Sequence, residues 1–427
     1  MKKYFIIAAA AVVAMAACSK VETDNTPGRK ISFEVASYST QTKADPSSNS
    51  SVLTETSGAF KSKAWLHANG GAASPFFGTS ANSNIETVSY LEASHTWEPE
   101  LEYFWPKGAG SYINFVSWFA TNSNVPTTIT ETAMNWGTAA EPMTIVTDDN
   151  FLFADEAWRY TDNVGPTATY GHDSVEKGVP TLFHHALAKV AFNVRLSTVT
   201  ASTKSIWDVD IQTVELKVGN NGYLDLVNAD PNTDATTRAW RLGTTYAESA
   251  ATLATSDNIG WTRPTTSTLE TIVETGSTAS DVTKQFTAVQ FSDFKPTTAT
   301  TTTPNTSGDW EELLAERTVM PQVIDGGVVT FKMTFYIRVF HADNGNKVDF
   351  DGVSGISDAD AFSTELITVE GNLHTLVGAI DNWKMNTKYI YNVTIDPVGK
   401  KVLFDPAVVD WATTVEEEQE IFNAQND

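Results

Sequence analysis

Val329-Thr330-Phe331-Lys332-Met333-Thr334-Phe335-Tyr336-Ile337-Arg338-Val339 places an apolar residue at every second position, with Thr330, Lys332, Thr334 and Arg338 between them. Wound as a helix, these side chains would scatter around the axis. Drawn out as a strand, they share one face, so period two reads as a half-buried antiparallel strand. Three other stretches repeat the pattern: Ile31, Phe33 and Val35; Val190, Phe192, Val194 and Leu196; and Tyr389, Tyr391, Val393 and Ile395. Turn signals separate the runs at Asn69-Gly70-Gly71, Gly108-Ala109-Gly110, Asn220-Asn221-Gly222, Asp325-Gly326-Gly327 and Asp343-Asn344-Gly345. The Asn-Gly pair before Tyr223 and the Gly-Gly pair before Val328 predict hairpins. Helical candidates are confined to Glu311–Arg317 and the acidic tail after Trp411. The expected fold class is all-β, built of sandwiches.

The beginning of the chain speaks to its compartment. Lys2 and Lys3 precede an apolar run from Phe5 to Met15, then Ala16, Ala17 and Cys18. That run is too short to span a bilayer and reads as a signal peptide over residues 1–17. Met15-Ala16-Ala17-Cys18 resembles the lipobox of bacterial lipoproteins, in which the cysteine is acylated. Cys18 is the single cysteine of 427 residues, so the chain can form no internal disulfide and no thiolate metal site. Residues 18–30 are polar, contain Pro27-Gly28, and suit a lipidated tether. Two domains are expected beyond it, over 31–178 and 179–427, with the boundary near Gly178–Pro180. A Thr- and Ser-rich insertion interrupts the second at about 228–309. The formal charge of −24 repels phosphate backbones, which argues against a nucleic-acid partner.

Three groups of residues together resemble the fimbrillin family, the lipoprotein-derived type V pilins and adhesins of Bacteroidetes. The first is the lipobox with the early strand Ile31–Ser37 and Gln41-Thr42-Lys43-Ala44-Asp45. The second is Tyr103-Phe104-Trp105-Pro106 with the aromatic run Tyr112–Ala120. The third is Phe183-His184-His185-Ala186-Leu187-Ala188-Lys189-Val190, with Lys388–Val393 and Val408-Val409-Asp410-Trp411. The resemblance implies two tandem transthyretin-like β-sandwich domains, displayed at the outer membrane by a lipid anchor. It implies a fimbrial subunit or adhesin whose partners are other pilin subunits, joined by β-strand addition. A trypsin-like protease would cut after Lys43 and release Ile31, Phe33 and Val35 from a groove. A strand from the C-terminal region of another subunit, around Tyr389, Tyr391, Val393 and Ile395 or Lys401–Phe404, would refill it. Family stalk subunits usually carry Arg at the cut, where this chain has Lys43.

The alternative is a monomeric surface lipoprotein that binds host or bacterial glycans through exposed aromatics. Trp105, beside Pro106, and Trp136, in a loop-like stretch, are the candidates for exposure. A glycoside hydrolase is a third reading, but nothing singles out two carboxylates. No nucleophile elbow, phosphate loop or dinucleotide fingerprint occurs, so no catalytic residue and no cofactor is expected. His184 and His185 are adjacent and point to opposite faces of a strand, with one expected to pack and the other to be exposed. Asp349, Asp351, Asp358 and Asp360 lack the calcium-loop register and read as a solvated acidic loop, so no metal is expected.

Overall fold

The structure is a computed structural model describing residues 30–37, 58–94, 96–106, 111–120, 125–145, 149–160, 178–197, 205–227, 237–238, 240–242, 260–263, 268–275, 284–290 and 310–410, the last without 326, 344–345, 350–351, 353–354 and 379. Cys18, Lys43 and the tail after Asp410 lie outside the described residues. The regular structure of the described residues is almost entirely strand, with a single short α-helix, α1 (Leu373–Val377), and three 3-10 turns. The all-β expectation is met.

Seven strands of a ten-stranded sheet form the ring of the first unit: β1 (Phe33–Ser37), β2 (Ala59–His67), β3 (Ile85–Leu91), β4 (Thr96–Pro99), β5 (Tyr112–Ala120), β6 (Phe151–Ala154) and β7 (Val179–His185). They pair in the order β5-β6-β7-β1-β4-β3-β2, and β2 then pairs back to β5. The sheet therefore closes on itself around Phe33, Phe60, Phe77, Trp97, Ile113, Phe115 and Phe183. Closure removes free edges, which would otherwise template association.

One side of this closed sheet is covered again from outside. Trp65, Val116, Trp118, Phe151 and Phe153 point away from the centre and meet a third layer. That layer contains the strand Ala133–Trp136, the strand β10 (Asn221–Val227), Trp240 and Trp261. Burial on both faces explains why β6 reads as an unbroken apolar run and why β5 is buried along almost its whole length.

The second unit is a pair of sheets facing each other. One has the order β11 (Glu311–Val319), β8 (Ala188–Leu196), β14 (Thr387–Asp396), β15 (Lys401–Asp410). The other centres on β9 (Ser205–Gly219) and β12 (Thr330–Asp343), with β13 (Ser363–Asn372) along the outer edge of β12. Leu269–Thr275 and Lys284–Gln290 line the outer edge of β9. Val190, Phe192 and Val194 face Val209, Phe331, Met333 and Phe335 across the core, which is the half-buried alternation expected of these strands.

Four expectations are corrected. β7 follows Gly178 but pairs with β1 and β6, so the boundary proposed at residue 178 cuts through a single sheet. The chain leaves that sheet at Ala186-Leu187. The Asn220-Asn221-Gly222 turn makes no hairpin: β9 and β10 belong to different sheets, and the chain crosses from one unit to the other there. The Asp325-Gly326-Gly327 turn likewise joins β11 to β12 across the sandwich, because each strand finds its partners in a separate sheet. Glu311–Arg317 is strand rather than helix, since β8 offers it an edge to pair with and a core for Leu313 and Leu314. The Thr-rich segment also contributes Trp240 and Trp261 to the third layer, where their indole N–H groups donate to Ala154 O (2.8 Å) and Ala186 O (2.6 Å).

Candidate functional site

β1 is the strand on which the closed sheet depends. Its residues alternate inward and outward, with Ile31, Phe33 and Val35 only 0%, 3% and 7% exposed and Glu34 in solvent. Phe33 sits among Phe60, Phe115 and Phe77, at ring centroid distances of 5.5, 5.7 and 6.2 Å. Burying three such side chains is worth on the order of 5–9 kcal/mol, an upper bound because an unfolded chain already buries some of that surface.

The two edges of β1 are held very unequally. Five positions, Phe33 to Ser37, run parallel to Val179–Phe183 of β7. On the other edge, among the described residues, the ladder reaches β4 at Phe33 opposite Trp97. Upstream, Ile31 N–H donates to Tyr103 O (2.8 Å), and Lys30 bridges Phe104. Val179 N–H donates to Ser32 O (2.8 Å) where β1 and β7 begin. Gly178 makes this approach feasible: its φ is +83°, and a Cβ there would stand 3.0 Å from Ser32 O.

Charge fastens the upstream end. Lys30 Nζ lies 2.5 Å from Glu98 and 3.2 Å from Glu102. The hydrogen bond to Glu98 is the main reason its ammonium is held above its ordinary value. Burial alone would push Glu98 up, but hydrogen bonds from Lys30, Thr96 and Ser94 together hold it below the usual carboxylate range. Tyr103 braces the same corner. Its hydroxyl donates to Glu86 (2.7 Å) and accepts from Gly78 N–H (2.7 Å). Burial, reinforced by Glu86, pushes that phenol up to about 12.

The residues expected to supply a donor strand are placed differently. Tyr389, Tyr391, Val393 and Ile395 are all buried in the core of the second unit. Tyr391 OH accepts from Trp383 Nε1 (2.7 Å), its ring stacks on Phe192 at 4.7 Å, and burial pushes the phenol up. Their strand, β14, is paired along both edges, over eight positions of β8 and ten of β15. A strand paired on both sides has no backbone to offer, so β14 is corrected as a donor. β15, which Lys401–Phe404 begins, is the terminal strand of its sheet, with Leu403 and Val408 exposed.

The aromatic candidates for glycan contact are also corrected. Trp105 is 5% exposed and packs edge-on against Phe115 inside the closed sheet, at 5.9 Å and 73°. Trp136 is fully buried in the third layer, 6.3 Å from Phe153. Neither presents a ring to solvent. His184 and His185 are both buried, because β7 is covered on both faces. His184 Nε2 lies 2.9 Å from Asp155 Oδ1, and His185 N–H donates to Asn386 Oδ1 (3.0 Å). Among the described residues, no three His, Cys, Asp or Glu side chains gather as a metal site.

Sequence reasoning missed most of what surrounds β1. Phe60 and Phe115 could have been found, since each lies on an alternating strand. Phe77 and Lys30 carried no local signal; a turn delivers the first and two distant carboxylates give the second its place.

No protein-family model matches the chain, and no curated protein matches its sequence. Among solved structures it is similar to a fimbrial protein of Bacteroides vulgatus, at 14% identity and a TM-score of 0.38, over 90% of this chain and 99% of that one. It is similar also to a candidate cell adhesion protein of Parabacteroides distasonis (9% identity, TM-score 0.38, 91% and 98% covered). A candidate cell adhesion protein of Bacteroides ovatus is a third (12% identity, TM-score 0.36, 91% and 98% covered).

Proposed function

We propose that this chain is a non-enzymatic structural or adhesive subunit of a cell-surface fimbria, exported as a lipoprotein, acylated at Cys18 and anchored in the outer membrane. In this reading β1 is a removable plug. Cutting after Lys43, between β1 and β2, frees β1 from the body. The vacated groove then accepts a strand from another subunit, and exposed β15 is better suited than β14 to supply one.

One observation carries the reading: among the described residues, a short strand closes the first sheet with five rungs on one edge and a single rung on the other. Its loss would leave an apolar trough and unpaired backbone together, the two features that strand addition satisfies. Mass spectrometry of the membrane-extracted protein tests the anchor, with acyl chains expected on Cys18. Treatment with a lysine-specific protease tests assembly. The expected result is a cut near Lys43 followed by SDS-resistant ladders; cut chains that stay monomeric would overturn the polymerising role.

A further inference from the structure

With Trp105 and Trp136 buried, Trp310 stands apart: it is 36% exposed and appears among the large apolar side chains that reach solvent. It opens β11, on the side of the β11-β8-β14-β15 sheet facing away from the core. The inward residues of β8 and β14 are accounted for in the core, so Lys189, Ala191, Asn193 and Arg195 of β8 face outward with Lys388, Ile390, Asn392 and Thr394 of β14.

These outward residues form rows across the strands. In one row the Arg195 guanidinium lies over the Trp310 ring at 4.1 Å, and Arg195 Nε donates to Thr394 (3.2 Å). Thr394 is opposite Leu403 of β15, which is 59% exposed. With neighbouring strands about 4.8 Å apart, Trp310 and Leu403 stand roughly 14 Å from each other across the sheet. In the next row Asn193 Nδ2 donates to Asn392 Oδ1 (3.1 Å), flanked by exposed Glu312 and Asp405 on the outer strands. Beyond it runs a smooth stripe of Ala191, Ile390 and Ala407.

We propose that this sheet face binds an extended neutral glycan. An indole and a leucine at opposite ends supply apolar contact for sugar-ring C–H groups. Amides, a hydroxyl and two carboxylates between and beside them supply donors and acceptors for sugar hydroxyls. The groups sit on paired strands and are fixed by lateral hydrogen bonds, so little ordering remains to be done on binding. Charge selects against acidic polymers. Lys189 and Lys388 are both engaged by Glu316, Arg195 is committed to Trp310 and Thr394, and the chain as a whole is strongly negative. The same acidity disfavours a second copy of the chain as occupant. The inference does not need β1 to be released, but the face includes Leu403 and Asp405, so it holds for a chain whose β15 stays in its own sheet.

Affinity electrophoresis of the full chain through gels containing a soluble β-glucan, a galactomannan, dextran or, as an anionic comparison, alginate tests it. At least one neutral polymer is expected to retard the chain. Trp310→Ala should weaken that retardation about tenfold and Asn392→Ala several-fold, while Leu366→Ala on the opposite sheet leaves it unchanged. Circular dichroism melting of each variant separates lost binding from lost folding. Retardation by alginate alone, no retardation by any neutral polymer, or full retardation of a folded Trp310→Ala chain would each overturn the proposal.

Discussion

Residues 179–196 carry two strands almost end to end, and each takes a parallel partner from a distant part of the chain: β7 takes β1, and β8 takes β14. The device is the same, but the commitment differs. β14 is paired along both edges and buries two tyrosines in a core between sheets. Among the described residues, β1 has five rungs on one edge, one on the other, and an ion-paired lysine at its upstream end. Parallel pairing shows only that a strand has come from elsewhere in the chain. Whether it can be given up depends on the second edge. β14 is fixed in its sheet along both edges, whereas β1 is the strand proposed to be releasable.

Perturbing each strand should break or sharpen this contrast. The largest effect is expected at β14. Val393→Asp would bury a carboxylate with no partner between the sheets, costing several kcal/mol. The variant should show no cooperative thermal transition for the second unit by calorimetry; native-like melting would erase the distinction between the strands. At β1, Phe33→Ala should cost about 3–4 kcal/mol through lost burial and the cavity left behind. Hydrogen exchange should then speed up in β1, β4 and β7 and stay unchanged in β14. Uniform acceleration would mean that the two units unfold as one.

The smallest effect concerns the charge latch. Glu98 is lowered in the folded chain, so its contribution is present above its unfolded value near 4.5 and is lost as pH falls through the lower folded value. Lys30 is raised, so its share is present below 10.5 and is lost only above that. Between these limits the latch is intact. Both groups lie close to solvent, so it is worth less than about 1 kcal/mol. Lys30→Met should therefore speed exchange of the Ile31 and Phe33 amides only a few-fold at neutral pH. The wild-type chain should converge on the variant as pH drops below 4.5. A wild-type chain unchanged by acid would remove the latch from the account.

The sequence was most legible where one face of a strand meets a core and the other meets water. Phe33, Phe192, Phe335 and Val393 all lie where a period of two places them. It was least legible where the sheet is covered on both sides. Trp136 sits in a short strand of a third layer supplied partly by β10 and the Thr-rich segment, and no local pattern announces a layer assembled from distant pieces. The turns were legible as turns, yet Asn220-Asn221-Gly222 says nothing about whether the next strand returns beside the last or crosses to another sheet. Glu311–Arg317 shows tertiary pairing overriding a local helical pattern. For the candidate site, the period of two placed Ile31, Phe33 and Val35 on a buried face but did not reveal what surrounds them: Lys30 and Tyr103 reach carboxylates far along the chain, at Glu98 and Glu86.

Exchange of the plug itself is the most direct trial. After cleavage between β1 and β2, the chain would be incubated under native conditions with an excess of isotopically heavy peptide spanning residues 30–37, then followed by intact mass spectrometry and circular dichroism. Replacement of the original segment by the heavy one, with the rest of the fold unchanged, is the predicted outcome. Failure to exchange, or collapse of the body once the segment leaves, would make β1 an ordinary core strand and contradict the account.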